Sequence, residues 1–322
     1  MLNAFVRTVL GDVPADDIGV CYAHEHLIID RSAATERYPG VLLDSEENCV
    51  TELKQFHADG GRTMVDSMPC DAGRNVVKLA SVSSRTDVNI VCPTGLHLAQ
   101  YYPHGHWGER YAVDRMADLF IADIEDGIDR FDYGGPVVER TPYRAGVIKV
   151  ATKGVGPDDR ERRIFEAAAA AHRRTGAPIL THTEMGLGAI EQIETLDACG
   201  VNLRHVVISH TDRNPDVAYH REILNSGVRV EYDSGFRWPG EENPTLELLV
   251  TLLDEFPDRI MLGMDAARPK YWISYGGGPG LSFLLTTFSQ RLLKRGVPAS
   301  RLDRIFVTTP AATYRFAAPA EN

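Results

Sequence analysis

The feature of this 322-residue chain that most constrains its fold is a regular alternation of short apolar segments with longer amphipathic ones. The short segments are rich in Val and Ile, and they are too continuously apolar to have one face exposed in an antiparallel sheet. They predict eight buried parallel strands at 18–23, 62–67, 89–94, 145–150, 178–182, 205–210, 228–233 and 259–264. The helices predicted between them include 44–59, 111–130, 158–175, 187–199, 215–226, 244–255 and 281–295.

Strand–helix units repeated eight times over this length are typical of an α/β fold, the (β/α)₈ TIM barrel. An open, doubly wound sheet is the alternative. No linker or low-complexity tract interrupts the pattern, so we expect a single domain over residues 1–322. In a barrel of this kind the active site lies at the C-terminal ends of the strands.

The composition excludes several classes of partner. The chain has 34 Lys+Arg against 45 Asp+Glu, a net charge of −11, whereas nucleic acids and anionic membranes require a basic surface. No apolar run approaches the length of about 18 residues that a membrane-spanning helix needs. The N-terminus is a poor signal peptide and the five cysteines lack CxxC spacing, which predicts reduced thiols in a cytoplasmic protein.

The predicted strand ends carry side chains that can bind metals. His24 and His26 are two residues apart at the end of the first strand, so both point to one face. His182 and His210 end the fifth and sixth strands, and the eighth runs into Asp265. Any one of these histidines is more simply a core or rim residue, but four of them with an aspartate at equivalent positions predict a metal site.

Lys149 ends the fourth predicted strand, between apolar residues. An unpaired ammonium group buried there is costly, and its pKa falls. The side chain can instead reach solvent or pair with an acid. A third interpretation fits best: a neutral amine captures CO₂ and becomes a carbamate, which bridges two cations about 3.5–4 Å apart.

The motifs AHEHL, AGVIKVAT, THTE, SHTDRN, LGMDAARPKYW and TTPAATYRF occur in this order. Together they resemble the phosphotriesterase family of the amidohydrolase superfamily over nearly the whole chain. The metal ligands that the resemblance implies are His24, His26, Lys149, His182, His210 and Asp265.

The resemblance also implies how these ligands are divided in a binuclear centre of zinc, or of manganese or cobalt. The histidine pair of the first strand and Asp265 would hold the more buried metal, and the two single histidines would hold the exposed one. Carboxylated Lys149 and a hydroxide would bridge the metals, and Asp265 would accept the proton of the attacking hydroxide. The family likeness further implies a homodimer.

Substrate-binding residues are predicted in the loops after the last two strands. Arg237 lies in DSGFRWPG, and Arg268 and Tyr271 lie in DAARPKYW. Two arginines and a phenol at the mouth of a barrel fit an anion, either phosphate or carboxylate. They resemble the family branch that hydrolyses phosphorylated sugar lactones, where a lysine usually stands in place of Arg237. Alternatively, both arginines pair with rim acids such as Glu241 or Asp233.

We therefore expect a hydrolase acting on a small, anionic sugar lactone or carboxylic ester. The alternatives are an amidase acting on an N-acyl amino acid, a neutral-lactone hydrolase or organophosphate triesterase, and a catalytically silent binding protein. The loop 96–110, rich in His and aromatic residues, is expected to be a lid or a subunit contact. Arg213 is expected on a basic rim, and Lys270 as a solvated surface charge.

Overall fold

A computed structural model describes residues 4–238, Gly240 and residues 242–317. The described chain begins with an antiparallel hairpin, β1 (Phe5–Thr8) and β2 (Gly11–Pro14), which the sequence patterns did not predict. Val6 is fully buried, and the ring of Phe5 stacks on Phe316 at 4.8 Å between centroids. The hairpin therefore joins the two ends of the described chain beneath the strands.

The central sheet consists of parallel strands that follow one another in chain order. They are β3 (Val20–Glu25), β4 (Gly61–Asp66), β5 (Asn89–Val91), β6 (Pro93–Gly95), β7 (Val147–Lys149), β8 (Ile179–Leu180), β9 (Val206–Ser209), β10 (Arg229–Tyr232) and β11 (Ile260–Leu262). The third predicted strand is divided at Cys92, so that β5 pairs with β4 and β6 pairs with β7. Each of the other predicted strands overlaps one observed strand, although β3 ends two residues after its predicted range and β4 begins one residue before its own.

The ring closes between β11 and β3. The backbone N–H of Asp265 donates to the carbonyl of His24 at 3.2 Å, and that of Met264 donates to the carboxylate of Glu25 at 2.8 Å. A Cβ on Gly263 would lie only 2.5 Å from the carbonyl oxygen of His24, so only glycine permits this approach. The sheet is thus the predicted (β/α)₈ barrel.

Helices surround the barrel. They are α1 (Ala33–Arg37), α2 (Glu46–Ala58), α3 (Val76–Thr86), α4 (Trp107–Arg110), α5 (Val113–Glu125), α6 (Asp159–Thr175), α7 (Ala189–Ala198), α8 (Val217–Asn225), α9 (Pro244–Leu252), α10 (Ser289–Lys294), α11 (Ala299–Asp303) and α12 (Thr309–Tyr314). The helices that were not among those predicted are α1, α3, α4, α11 and α12. In the predicted helix 281–295, a wide π-type turn over Leu284–Phe288 precedes the shorter α10.

The helix α6 shows how local sequence sets the helix bounds. Asp158 accepts from the backbone N–H of Glu161 at 2.8 Å, and the Glu161 carboxylate accepts from the backbone N–H of Asp158 at 3.0 Å. This capping box satisfies two N–H groups that the first turn leaves without partners. Gly176 ends the helix in the left-handed region at φ +77°, where a side chain would be strained.

The barrel interior is apolar at one end and polar at the other. The apolar end is filled by alternate strand residues and the hairpin, including Val6, Cys21, Val65, Val91, Val147, Leu180, Val207 and Met261. A larger apolar layer lies between the strands and the helices. Within the described ranges, no helix combines the length and the apolar character needed to cross a bilayer.

Candidate metal centre and substrate cavity

The polar end of the barrel opens into a cavity of about 620 Å³. The predicted ligands that line it are His24, His26, His182, His210 and Asp265. Each comes from the C-terminal end of a different strand, apart from the pair His24 and His26, so the parallel topology brings them together. His210 and Asp265 adopt φ values of +67° and +45°, a region that side chains enter rarely and that is concentrated at functional sites.

The four histidines lie side by side. Ring centroids are 5.6 Å apart for His24 and His26, 4.7 Å for His24 and His210, and 4.6 Å for His182 and His210. Burial holds the pKa of His24 and His210 well below the ordinary value and also lowers that of His182. These rings are therefore neutral, the form in which imidazole binds a metal.

His24, His26 and Asp265 form a group whose donor atoms all lie within 4.8 Å of one another. The His26 Nε2 atom is 3.2 Å from Asp265 Oδ1, and the His24 Nε2 atom is 3.9 Å from it. Burial alone would raise the pKa of Asp265, but its hydrogen bond to His26 and nearby positive charges bring it well below the ordinary value. This donor set, a carboxylate with two imidazoles, suits a divalent metal ion.

Buried nitrogen atoms without partners also fit a metal centre. Among the residues described, His26 Nδ1 has no hydrogen-bond partner, and His182 Nε2 has only the Glu184 carboxylate beside it, at 3.5 Å. A buried polar atom without a partner is costly and is uncommon in native proteins. The residues present therefore fit a divalent metal centre.

Lys149 lies beneath these ligands, with 0% of its surface exposed. Its Nζ is 3.3 Å from the carbonyl of Thr181, and no ion pair to it is found within the described part of the chain. Burial lowers the pKa of Lys149 to about 8. The side chain thus neither reaches solvent nor forms an ion pair with an acid among the described residues.

Two acidic residues behind the histidines were not predicted as site residues. The Asp233 carboxylate bonds His210 Nδ1, and Arg213 links Asp233 Oδ1 at 3.0 Å to Asp265 Oδ2 at 2.8 Å. Glu231 is fully buried, with neither carboxylate oxygen hydrogen-bonded among the described residues, and it lies 3.5 Å from His24 Nδ1. Burial raises the pKa of Glu231 well above the ordinary value.

Arg213 therefore occupies a different place from the one expected. It is half-buried against the metal-site carboxylates rather than part of an open basic rim. The physical reason is that two carboxylates at this depth need a positive partner. The period-two spacing of Glu231 and Asp233 at the end of the seventh strand is the sequence signal that would have found these acids.

The predicted anion-binding residues line the same cavity. Arg237 donates from Nη1 to the phenol oxygen of Tyr271 at 3.1 Å, and from Nη2 to Asp265 Oδ2 at 3.0 Å. Arg268 is exposed at the mouth and makes no ion pair within the described ranges. Asp233 is occupied by Arg213 instead, and Glu241, the other acid expected to pair, lies outside the described residues.

The cavity lining also contains apolar and aromatic side chains. It includes Ile29, Tyr38, Val41, Met68, Tyr101 and Met185. Tyr101 belongs to the loop 96–110, as does His97, which also lines the cavity and was not predicted as a site residue. Part of this loop therefore lines the cavity, and its roles as a lid or as a subunit contact both stay predictions.

A parallel eight-position barrel with a histidine–aspartate cluster at its C-terminal end is the arrangement of metal-dependent barrel hydrolases. Comparison with known proteins agrees with this class. The model of the phosphotriesterase family matches residues 4–314, so the chain belongs to the phosphotriesterase family.

Three relatives show how far the similarity extends. A phospho-furanose lactonase of Mycoplasmopsis agalactiae is 33% identical over 98% of this chain and 93% of its own length. An amidohydrolase from Mycoplasma synoviae superposes with a TM-score of 0.93 at 30% identity, covering 98% and 93% of the two chains. A lactonase from Listeria monocytogenes gives a TM-score of 0.89 at 28% identity, covering 98% and 100%. The predicted barrel and the predicted class, a metal-dependent hydrolase, are confirmed.

Proposed function

We propose that the protein is a lactonase with a binuclear metal centre, acting on a small sugar lactone that carries a phosphate group. The observation that carries the proposal is the exposed guanidinium of Arg268, without an acidic partner among the described residues, in the cavity that also contains the histidine cluster. The name of the Mycoplasmopsis agalactiae relative, a phospho-furanose lactonase, supports the same substrate class. The catalytic unit is one domain over residues 1–322, acting as a homodimer.

The metal ligands follow from the two histidine groups. His24, His26 and Asp265 would hold one divalent ion, and His182 and His210 would hold the other, with zinc as the metal and manganese or cobalt as alternatives. The donor atoms of His24, His26 and Asp265, which lie within 4.8 Å of one another, and the 4.6 Å between the His182 and His210 rings support this division.

Carboxylated Lys149 completes the ligand set. The lone pair of its neutral Nζ attacks the carbon of CO₂, an N–C bond forms, and one proton leaves the nitrogen for solvent. The pKa of about 8 makes the neutral amine accessible near pH 7. The product would be an anion able to serve as a metal ligand, and its formation would remove the cost of a buried ammonium.

Two divalent metals, when bound, lower the pKa of the attacking water and polarise the lactone carbonyl. The chain's own contribution is to hold and move the proton. Asp265 Oδ2 is occupied by Arg213 and Arg237, which leaves Oδ1, beside the histidines, to accept the proton of the water. The same oxygen then delivers the proton to the alkoxide that leaves as the ring opens.

The arginine side of the cavity binds the phosphate. Arg237 and the phenol of Tyr271 are already joined at 3.1 Å, and Arg268 adds a second guanidinium from the same loop as Tyr271. Guanidinium groups bind phosphate through paired, charge-assisted hydrogen bonds. Carboxylate is the other anion that fits these groups. The protein could therefore also be an amidase, and N-acyl amino acids are included among the test substrates.

The apolar side chains in the cavity lining support a second candidate function, the hydrolysis of neutral lactones. Ile29, Val41 and Met68 offer a surface against which an alkyl chain packs without losing hydrogen bonds. A triesterase acting on neutral organophosphates would bind its substrate against the same apolar side chains. Both candidates leave Arg268 without a role, whereas Arg237 already pairs with Asp265. For this reason the phosphorylated lactone is preferred.

The test is a comparison of matched substrates. Hydrolysis of a five-carbon 1,4-lactone with and without a 5-phosphate is followed by proton release, using enzyme loaded with zinc, manganese or cobalt. We expect a preference for the phosphorylated lactone of at least tenfold in kcat/KM, from about 1.5 kcal/mol of charge-assisted hydrogen bonding. Equal rates contradict the phosphate proposal, and turnover only of N-acyl amino acids identifies the amidase. Binding without turnover of any substrate class identifies a silent binding protein.

A further inference from the structure

We propose that His97 binds the substrate by donating a hydrogen bond from its Nε2–H to the hydroxyl group beside the scissile carbonyl. The proposal rests on the lactonase function above and narrows it to lactones hydroxylated at that carbon, as opposed to their 2-deoxy analogues.

His97 lies beside the histidine cluster. It follows β6 by two residues, lines the cavity, and is only 7% exposed. Its ring centroid is 4.8 Å from that of His182 and 4.4 Å from that of Tyr101. It therefore stands beside His182, one of the two histidines proposed above to hold the second metal.

The tautomer of the ring follows from its hydrogen bond at Nδ1. The backbone N–H of Leu98 donates to His97 Nδ1 at 2.8 Å, so Nδ1 carries a lone pair and no proton. A neutral imidazole with an acceptor at one nitrogen has its proton on the other. Nε2 therefore presents a hydrogen, which suits an oxygen acceptor and does not suit a metal ion.

The ring is fixed in place before substrate binds. The backbone N–H of His97 donates to the phenol oxygen of Tyr102 at 2.8 Å, and Arg160 donates to the carbonyl of His97 at 3.1 Å. The guanidinium of Arg160 also lies 5.4 Å from the centre of the Tyr102 ring. A donor held by its backbone on both sides loses little entropy when it binds.

His97 and the predicted anion-binding residues lie on different loops. His97 comes from the loop after the third strand position, whereas Arg268 and Tyr271 come from the loop after the last. A substrate held between them has its phosphate toward Arg268 and its reacting carbonyl toward His182. In a sugar lactone the carbon next to that carbonyl carries a hydroxyl, which is the acceptor nearest to a donor beside His182.

The experiment is a cycle between two variants and two substrates. The variants are His97→Phe, which keeps a flat ring and removes the donor, and His97→Gln, which keeps an N–H donor of similar reach. The substrates are a five-carbon 1,4-lactone 5-phosphate and its 2-deoxy analogue. We expect His97→Phe to lose about tenfold in kcat/KM on the hydroxylated lactone and less than about twofold on the deoxy one, the size of one neutral hydrogen bond.

Two further readouts separate binding from structure. Metal content per chain is measured for each variant and is expected to match that of the wild type. Calorimetric binding of the two ring-opened acids is expected to show the same selective loss for His97→Phe, with most of the affinity kept by His97→Gln.

The outcomes distinguish the two proposals. Equal losses on both lactones, or no loss on either, overturn the role of His97 while leaving the lactonase in place. A selective loss in both Phe and Gln variants also overturns it, because the donor is retained in one of them. If the wild-type protein hydrolyses neither lactone, the proposed function fails and the role of His97 fails with it.

Discussion

Replacement of Arg268 by Met gives the sharpest test of the anion site. Arg268 lines the cavity and makes no ion pair within the described part of the chain, so the substitution leaves no buried acid unpaired. A hydrogen bond to a charged group contributes about 1.5–3 kcal/mol. Because Arg268 is exposed and solvent screens its charge, we take the lower value of about 1.5 kcal/mol, which is about tenfold in kcat/KM.

Lys270 supplies a matched control. It is an exposed cation two residues further along the same loop, and its ammonium lies over the Tyr271 ring at 4.9 Å without lining the cavity. Lys270→Met removes the same charge and should change kcat/KM by less than about twofold, as expected for an exposed surface charge.

The assay measures proton release from a lactone pair that differs only in its phosphate. Arg268→Met should lose about tenfold on the phosphorylated lactone and almost nothing on the neutral one, and added salt should narrow the difference. Equal losses on both lactones, or an equal loss in Lys270→Met, would refute the assignment of Arg268 to phosphate.

Three other perturbations test the metal centre. Lys149→Ala should abolish binding of the metal pair, measured as metal content per chain, and short carboxylic acids should restore part of it; full metal content and rate in this variant would exclude the carbamate. Because burial lowers the pKa of Lys149 to about 8, the metal-free protein should bind protons less readily than the unfolded chain between that pH and the ordinary lysine value of about 10.4. Its stability to urea should therefore rise with pH across this interval, and Lys149→Met should remove the rise; an unchanged pH profile in that variant would contradict a buried amine. Asp233→Asn should weaken the orientation of His210 and lower metal affinity or activity about 10–100-fold, measured by competition with a chelator, and unaltered affinity would show that the Asp233–His210 contact has no such role.

Much of this architecture was predictable because burial leaves a periodic record in the sequence. A parallel strand is apolar on both faces, so each of the eight predicted segments stood out against the amphipathic helices around it. His24, Lys149 and Asp265 interrupt that apolar pattern at strand ends. A polar side chain is costly to bury there unless it faces a cavity or a polar partner. The division at Cys92 and the hairpin β1–β2 left no such record, because short edge elements carry few residues over which a period can be seen.

The residues that sequence reasoning missed depend on contacts between distant segments. Arg213 looked like a rim residue because nothing in SHTDRN indicates that its guanidinium will lie between Asp233 and Asp265, which come from other strands. His97 sat in a loop without any period. Its tautomer depends on a hydrogen bond from the next residue's backbone, and backbone conformation in a loop is set by the packing of Tyr102 and Arg160 around it.

Arg237 belongs to two equilibria at once, because one guanidinium contacts both Tyr271 and Asp265 Oδ2. Any anion that draws this guanidinium toward itself weakens its hold on the aspartate, and thermodynamic linkage requires the converse: a change in the charge of Asp265 alters the affinity for the anion by the same factor. Binding of an anion by Arg237 and binding of a proton by Asp265 are therefore coupled, and one coupling free energy describes the effect of each on the other. A substrate without the anionic group would be bound less tightly, and the proton affinity of Asp265 in its complex would also differ.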